Sequence, residues 1–245
     1  MNYRPSFDAI PVVVKNLIIV NVLMLLATYV LKQIGIDLYT YLALYFPLSE
    51  KFRLHQIFTH MFMHSMNPTH IFFNMFALYM FGRVLESVWG PKRFLMFYLV
   101  TGVGAALFYS AVNFIEYYYA ASSLSPDQIA YVKETGYEIW SQGKDFSDPL
   151  LSKLNQILNT PTVGASGAVF GILLGFGMLF PNTQLMLLFP PIPIKAKYFV
   201  IGYGILELVL GIKGGGNVAH FAHLGGMLFG YFMIKYWNKT SKRFY

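Results

Sequence analysis

Cysteine is absent from this 245-residue chain, and charge is scarce: Asp, Glu, Lys and Arg together make up 12% of it. The first absence excludes disulfides and thiolate chemistry, and is silent about compartment. The second excludes an ordinary soluble domain, in which about a quarter of the residues are charged. No cleavable leader is expected either. Met1–Pro11 is short and polar, and the apolar run behind it is long enough to stay as an anchor. What fills the chain instead is 56% hydrophobic residues, 18% of all residues being aromatic, at a mean hydropathy of +0.50. That composition describes an all-α integral membrane protein.

A spanning helix needs roughly 20 mostly apolar residues. Six segments qualify: 12–31, 70–88, 93–115, 164–180, 198–212 and 218–237. Pro181, Pro190, Pro191 and Pro193 interrupt the chain between the fourth and fifth, and Gly214–Gly216 loosen it before the sixth. An even number of spans puts both termini on one side, which then holds 11 of the 18 basic residues: Arg4, Lys15, Arg83, Lys92, Arg93, Lys195, Lys197, Lys235, Lys239, Lys242 and Arg243. Basic short loops mark the cytoplasmic side, so both termini are expected there. The net charge of +7 is then a topology signal, and no nucleic-acid partner is expected. Two outward segments stand out. In 35–69, the run Leu38–Phe46 reads as an interfacial amphipathic piece. The second, 116–160, is polar, partly helical and long enough to be an inserted element.

Polar groups at membrane depth are costly and mark function by default. His70 and Asn74 lie four apart on one face of the second span. Ser166 is the only hydroxyl of the run 163-VGASGAVFGILLGFGMLF-180, and 219-AHFAHLGGMLFG-230 carries His220 and His223. Each has a plainer reading. Gly167, Gly171 and Gly175 form one small-residue face and Gly226 with Gly230 another, and such faces serve helix packing alone. Together they say more. Two glycine faces bring the fourth and sixth spans into contact, which sets Ser166 and His223 at one level, and a serine beside a histidine base is the minimal nucleophilic unit. If Ser166 opens a helix, the unpaired N–H groups and positive dipole end there form an oxyanion hole, with His70 and Asn74 as further donors.

These residues resemble the rhomboid family of intramembrane serine proteases. The family's G-x-S-G appears as Gly164-Ala165-Ser166-Gly167, its H-x-x-x-N as His70 and Asn74, and its A-H-x-x-G-x-x-x-G as Ala222-His223 followed by Gly226 and Gly230. The second span continues into Gly82-Arg83-Val84-Leu85-Glu86, another family feature. The likeness runs over about 10–237 and is broken by the 116–160 insert. It implies a single six-span domain over 1–245 and a multi-pass protein of the cell membrane, the bacterial inner membrane in particular. The implied activity is a serine endopeptidase that cuts single-pass or multi-pass membrane proteins near the outer face, with no cofactor and no metal.

By the resemblance Ser166 is the nucleophile and His223 the base, a dyad without an acidic third member. The oxyanion would be held by His70, Asn74 and the Ser166 N–H. His220 would stand behind the site, and Gly164, Gly167, Phe170, Gly171, Gly226 and Gly230 would pack around it. Two positions depart from the pattern: Phe52-Arg53 stands where many members have Trp-Arg, and Phe170 where some have tyrosine. His60 and His64, four apart, invite a metal reading, but the family has structural histidines there and no acidic ligand is close in sequence. Arg83 and Glu86 are expected to form a polar network at a helix end, and Arg53 to be structural. Two rival classes remain. A non-catalytic relative that binds membrane clients would lack Ser166 or His223, and a metal transporter would need more intramembrane carboxylates than Glu86 and Glu207.

Overall fold

A computed structural model describes residues 10–186, 191–213 and 219–240. Arg4, Pro190, Gly214–Gly216, Val218, Lys242 and Arg243, and with them most of the Met1–Pro11 leader, lie outside the described residues. Among these residues eleven α-helices run in the order α1 (Val12–Gln33), α2 (Leu38–Leu42), α3 (Gln56–Thr59), α4 (Pro68–Ala77), α5 (Arg83–Trp89), α6 (Pro91–Ser122), α7 (Pro126–Ser141), α8 (Pro149–Asn159), α9 (Ser166–Leu179), α10 (Ala196–Lys213) and α11 (His220–Thr240). A π-helical turn, Leu78–Gly82, joins α4 to α5 in one continuous helix. Between α9 and α10, Gln184–Met186 and Pro193–Lys195 pair as a short antiparallel ribbon. Nothing in that proline-broken stretch had suggested strand.

The bundle is built around α9. Ten of its fourteen residues are buried, against α11, α6, α10 and the π turn. Outer helices reverse the arrangement of a soluble protein. Val20, Leu23, Leu26 and Val30 of α1, and Ile201, Ile205 and Ile212 of α10, are exposed, while Asn21, Thr28, Asn74, Thr101, Glu207, His220 and His223 are buried. Apolar surface outside and polar groups inside is the pattern of a bundle solvated by lipid. Three helices of the described residues are long and apolar enough to cross a bilayer, Val12–Gln33, Pro68–Trp89 and Pro91–Ser122, and α9 is a shorter apolar helix.

Two sequence expectations change. The Leu38–Phe46 run is amphipathic only in α2. Ala43, Leu44, Tyr45 and Phe46 are all buried because Leu44 pairs with Thr162 through two backbone hydrogen bonds of 2.9 and 2.8 Å, drawing the strand into the protein. The Gln56 side chain then accepts from the Tyr45 and Arg53 N–H groups and donates to the Lys51 carbonyl at 3.0 Å. The 116–160 insert is almost wholly helical. It consists of the end of α6 and the α7–α8 hairpin, whose Val132, Leu154, Ile157 and Leu158 form a second small core around Phe46.

Arg83 and Glu86 do not share a network. Arg83 bonds the Tyr79 hydroxyl at 3.3 Å, whereas the buried Glu86 carboxylate accepts from the N–H groups of Val13 and Val14 at 3.0 and 2.8 Å. Pro11, the residue before α1, offers no side-chain cap, so a carboxylate from another helix takes up orphan N–H groups at its positive end. Two charge-assisted bonds of about 1.5–3 kcal/mol each make this a firm clasp between α1 and α5. Glu86→Ala should therefore lower the thermal unfolding midpoint in detergent by several degrees, read by differential scanning fluorimetry. An unchanged midpoint would show that lipid-facing packing alone seats α1.

Candidate active site

Ser166 is the first residue of α9. Ahead of it, Gly164 adopts φ +131°, and a Cβ there would stand 2.9 Å from His70 Nε2. The neighbour that needs the room a side chain would take is the His70 ring. The Gly164 N–H is held by the His60 carbonyl at 3.0 Å, which fixes the loop that delivers the serine. At 14 residues, α9 is about 21 Å long at 1.5 Å per residue. That is shorter than the expected 164–180 segment.

His223 comes from the first turn of α11. Its Nε2 lies 2.9 Å from Ser166 Oγ, and its ring stacks on Phe170 at 4.1 Å between centroids and 6° between planes. The absence of a tyrosine hydroxyl at 170 leaves this stacking intact. The close approach of the helices is enforced by glycine. A Cβ on Gly226 would overlap the carbonyl oxygen of Gly167, and one on Gly230 would touch the Gly171 Cα at 3.4 Å. Gly167 and Gly171 serve a second contact as well, because their other faces receive Ala105 and Thr101 of α6.

His70 is oriented by a residue that the sequence did not single out. The Ser65 N–H donates to His70 Nδ1 at 3.3 Å, with Ser65 Oγ 3.0 Å from the same atom. A backbone N–H can only donate, so Nδ1 is the acceptor and Nε2 carries the proton, on the side of Gly164 and Ser166. Asn74 donates one amide hydrogen to the His70 carbonyl at 2.9 Å and retains a second. Ser166, His70, Asn74 and His223 line one cavity, walled by apolar Phe73, Ala77, Met80 and Phe81 on one side and Phe199 and Tyr203 on another.

The structure adds an acid to the pair. Glu207 of α10 is buried, and its Oε2 lies 2.9 Å from His223 Nδ1 and 2.7 Å from His220 Nδ1. The resemblance implied no third member. An isolated carboxylate in an apolar helix was the available signal, but sequence spacing does not say which histidine it meets. Glu207, His220 and His223 are also the cluster of potential metal ligands among the described residues, their donor atoms lying within 4.8 Å of one another. A cation would fit there only if both Nδ1 protons left.

His60 and His64 stand apart from that cluster. His60 Nδ1 bonds the Gln56 carbonyl at 3.0 Å, and the buried His64 ring lies 5.1 Å from His70. Burial lowers the His60 pKa to about 4, and burial together with the His70 ring lowers His64 to about 3. Both are neutral at physiological pH. Exposed Arg53 donates to the Glu50 and Phe52 carbonyls at 2.8 and 2.7 Å, bracing the same loop.

A sequence profile of the Rhomboid domain matches residues 51–239. The chain is 32% identical to RHOMBOID-like protein 12, mitochondrial, of Arabidopsis thaliana over 176 residues, covering 71% of this chain and 44% of that protein. It is 29% identical to Rhomboid protease AarA of Providencia stuartii over 180 residues, covering 69% and 51%. Against Rhomboid protein 1, mitochondrial, of Saccharomyces cerevisiae it is 25% identical over 178 residues, covering 71% and 40%. The chain thus spans between 40% and 51% of the length of these relatives.

Two outcomes follow. Gly226→Ala should separate α11 from α9, lowering both the unfolding midpoint and the labelling of Ser166 by a serine-reactive fluorophosphonate. Normal behaviour in both assays would show that the Gly167 contact does not set the distance. The two low-pKa histidines predict acid sensitivity. The unfolded chain takes up protons near pH 6.5 that the folded rings refuse. Stability should hold above that pH and fall as pH drops from about 6.5 toward 4. His64→Gln should flatten the midpoint-against-pH curve, and an unaltered curve would assign the sensitivity to other groups.

Proposed function

This chain belongs to the rhomboid family, and from that membership we propose that it is an intramembrane serine endopeptidase in which Ser166 is the nucleophile and His223 the general base. The observation that carries the proposal is the 2.9 Å contact between Ser166 Oγ and His223 Nε2, both in the lining of one cavity. Ser166 Oγ attacks the scissile carbonyl carbon while its proton passes to His223 Nε2. The carbonyl electron pair moves onto oxygen, where the Ser166 N–H, His70 Nε2–H and the free Asn74 amide hydrogen receive it. Collapse breaks the C–N bond, and His223 returns the proton to the leaving amine. A water deprotonated by His223 then attacks the acyl-enzyme and frees Ser166.

The cavity supports membrane proteins as substrates. Its Phe73, Met80, Phe81 and Phe199 wall suits an apolar transmembrane segment, and its polar end holds the serine. For a six-span arrangement, the charge asymmetry of the loops supports cytoplasmic termini and, with them, the start of α9 and cleavage near the outer face. The match over 51–239 supports a single rhomboid domain, with α7 and α8 as an insert.

Fluorophosphonate labelling of the purified protein, paired with cleavage of a model transmembrane substrate, tests this reading. Ser166→Ala should abolish both signals and leave the unfolding midpoint within a degree or two, because one hydroxyl is lost from a small-residue face. Labelling or cleavage that survives in the alanine variant would move the nucleophile elsewhere.

A further inference from the structure

Glu207 is the only carboxylate of α10, set in the apolar run Tyr198–Ile212 and 4% exposed. A buried, ionised carboxylate is costly unless hydrogen-bonded and paired. Both partners found for it, His220 Nδ1 and His223 Nδ1, meet the same oxygen. A carboxylate oxygen only accepts, so each ring presents its proton at Nδ1. For His223 this has a chemical consequence. With Nδ1 protonated, Nε2 holds the lone pair, and Nε2 is the atom that faces Ser166 Oγ.

Stacking on Phe170 does not achieve this alone. A ring lying flat on another can turn over about its Cβ–Cγ bond and still stack, exchanging the edge it shows to the serine. A bond to Nδ1 removes that freedom. An anion beside Nδ1 also favours the positive charge that His223 gains when it takes the serine proton, and does so in surroundings of low polarity. His220 stands almost perpendicular to His223, at 88° and 6.4 Å between centroids. It approaches the carboxylate from a second direction and fixes its position.

We propose that Glu207 is a positioning residue for His223, fixing the tautomer and ring orientation in which Nε2 accepts the Ser166 proton, with His220 as the second donor that anchors the carboxylate. This rests on Ser166 and His223 acting as nucleophile and base. It turns the expected pair into a relay of Ser166, His223 and Glu207 whose acid comes from a neighbouring helix. Proton accounting is unchanged: one proton shuttles between Ser166 Oγ and His223 Nε2, and the Nδ1 proton remains on His223 throughout.

The test is steady-state cleavage of a transmembrane substrate in detergent by Glu207→Gln, Glu207→Asp and Ser166→Ala proteins, with unfolding midpoints recorded alongside. Gln keeps the shape but loses the charge, and its amide can donate to Nδ1 and impose the wrong tautomer. Its kcat should fall by about a hundredfold or more, with KM within about twofold. Asp keeps the charge with a shorter reach and should recover part of kcat. A Gln variant with wild-type kcat, or one altered only in KM, would overturn the assignment while Ser166→Ala, if inactive, leaves the hydrolase reading standing. Activity in Ser166→Ala would overturn both. If the Gln variant does not fold, the Asp variant decides. A kcat lowered more than tenfold at unchanged KM supports the role, and wild-type kcat refutes it.

Discussion

A peptide carbonyl resting against a glycine governs this molecule. The Gly167 carbonyl oxygen occupies the space that any side chain at Gly226 would need, so α9 and α11 meet backbone to backbone. Membrane helices gain no solvent exclusion from associating, and rely instead on such close packing. The contact also fixes a length. One turn N-terminal to it on α11 lies His223, and next to it on α9 lies Ser166, and their separation follows from how near the two backbones can come. Ala105 and Thr101 of α6 fill the opposite side of Gly167 and Gly171, so α9 is gripped from two directions.

Around that contact, the polar groups of the interior are organised by what they satisfy. Glu86 accepts from N–H groups at the start of α1, and Glu207 accepts from two imidazoles. Glu86 joins helices distant in sequence and Glu207 joins consecutive ones, and each would be an uncompensated charge without its partners. Gln56 and Ser65 do the equivalent for the loop between α1 and α4. One ties strand and turn together, and the other sets the tautomer of His70.

The readable part of this architecture is what repeats along one helix. Hydropathy marked the apolar segments, and the four-residue and three-residue spacings placed His70 with Asn74 and His223 before Gly226 on faces that the structure retains. Short motifs were informative because helices impose a fixed periodicity on neighbours in sequence. Apart from the glycine faces of α9 and α11, contacts between helices left no such trace. Glu207 could be seen as an isolated charge, but its distance from His223 depends on how α10 crosses α11. The pairing of Leu44 with Thr162 was hidden for the same reason, and Leu38–Phe46 was misread in its second half because its burial is produced by a partner over a hundred residues away. Arg83 and Glu86 lie close in sequence yet face different neighbours, so proximity along a helix suggested a network that three-dimensional packing does not make.

The placement of His223 on α11 also bears on how the chain is made. A ribosome releases residues in order, so His70 and Asn74 leave first, Ser166 about a hundred residues later, and His223 57 residues after that. Until α11 has entered the bilayer and seated Gly226 on Gly167, the serine lacks the His223 imidazole. A nascent chain stalled anywhere before that point carries the hydroxyl without its partner. On the proposed roles of Ser166 and His223, assembly of the site is thus timed by biosynthesis itself.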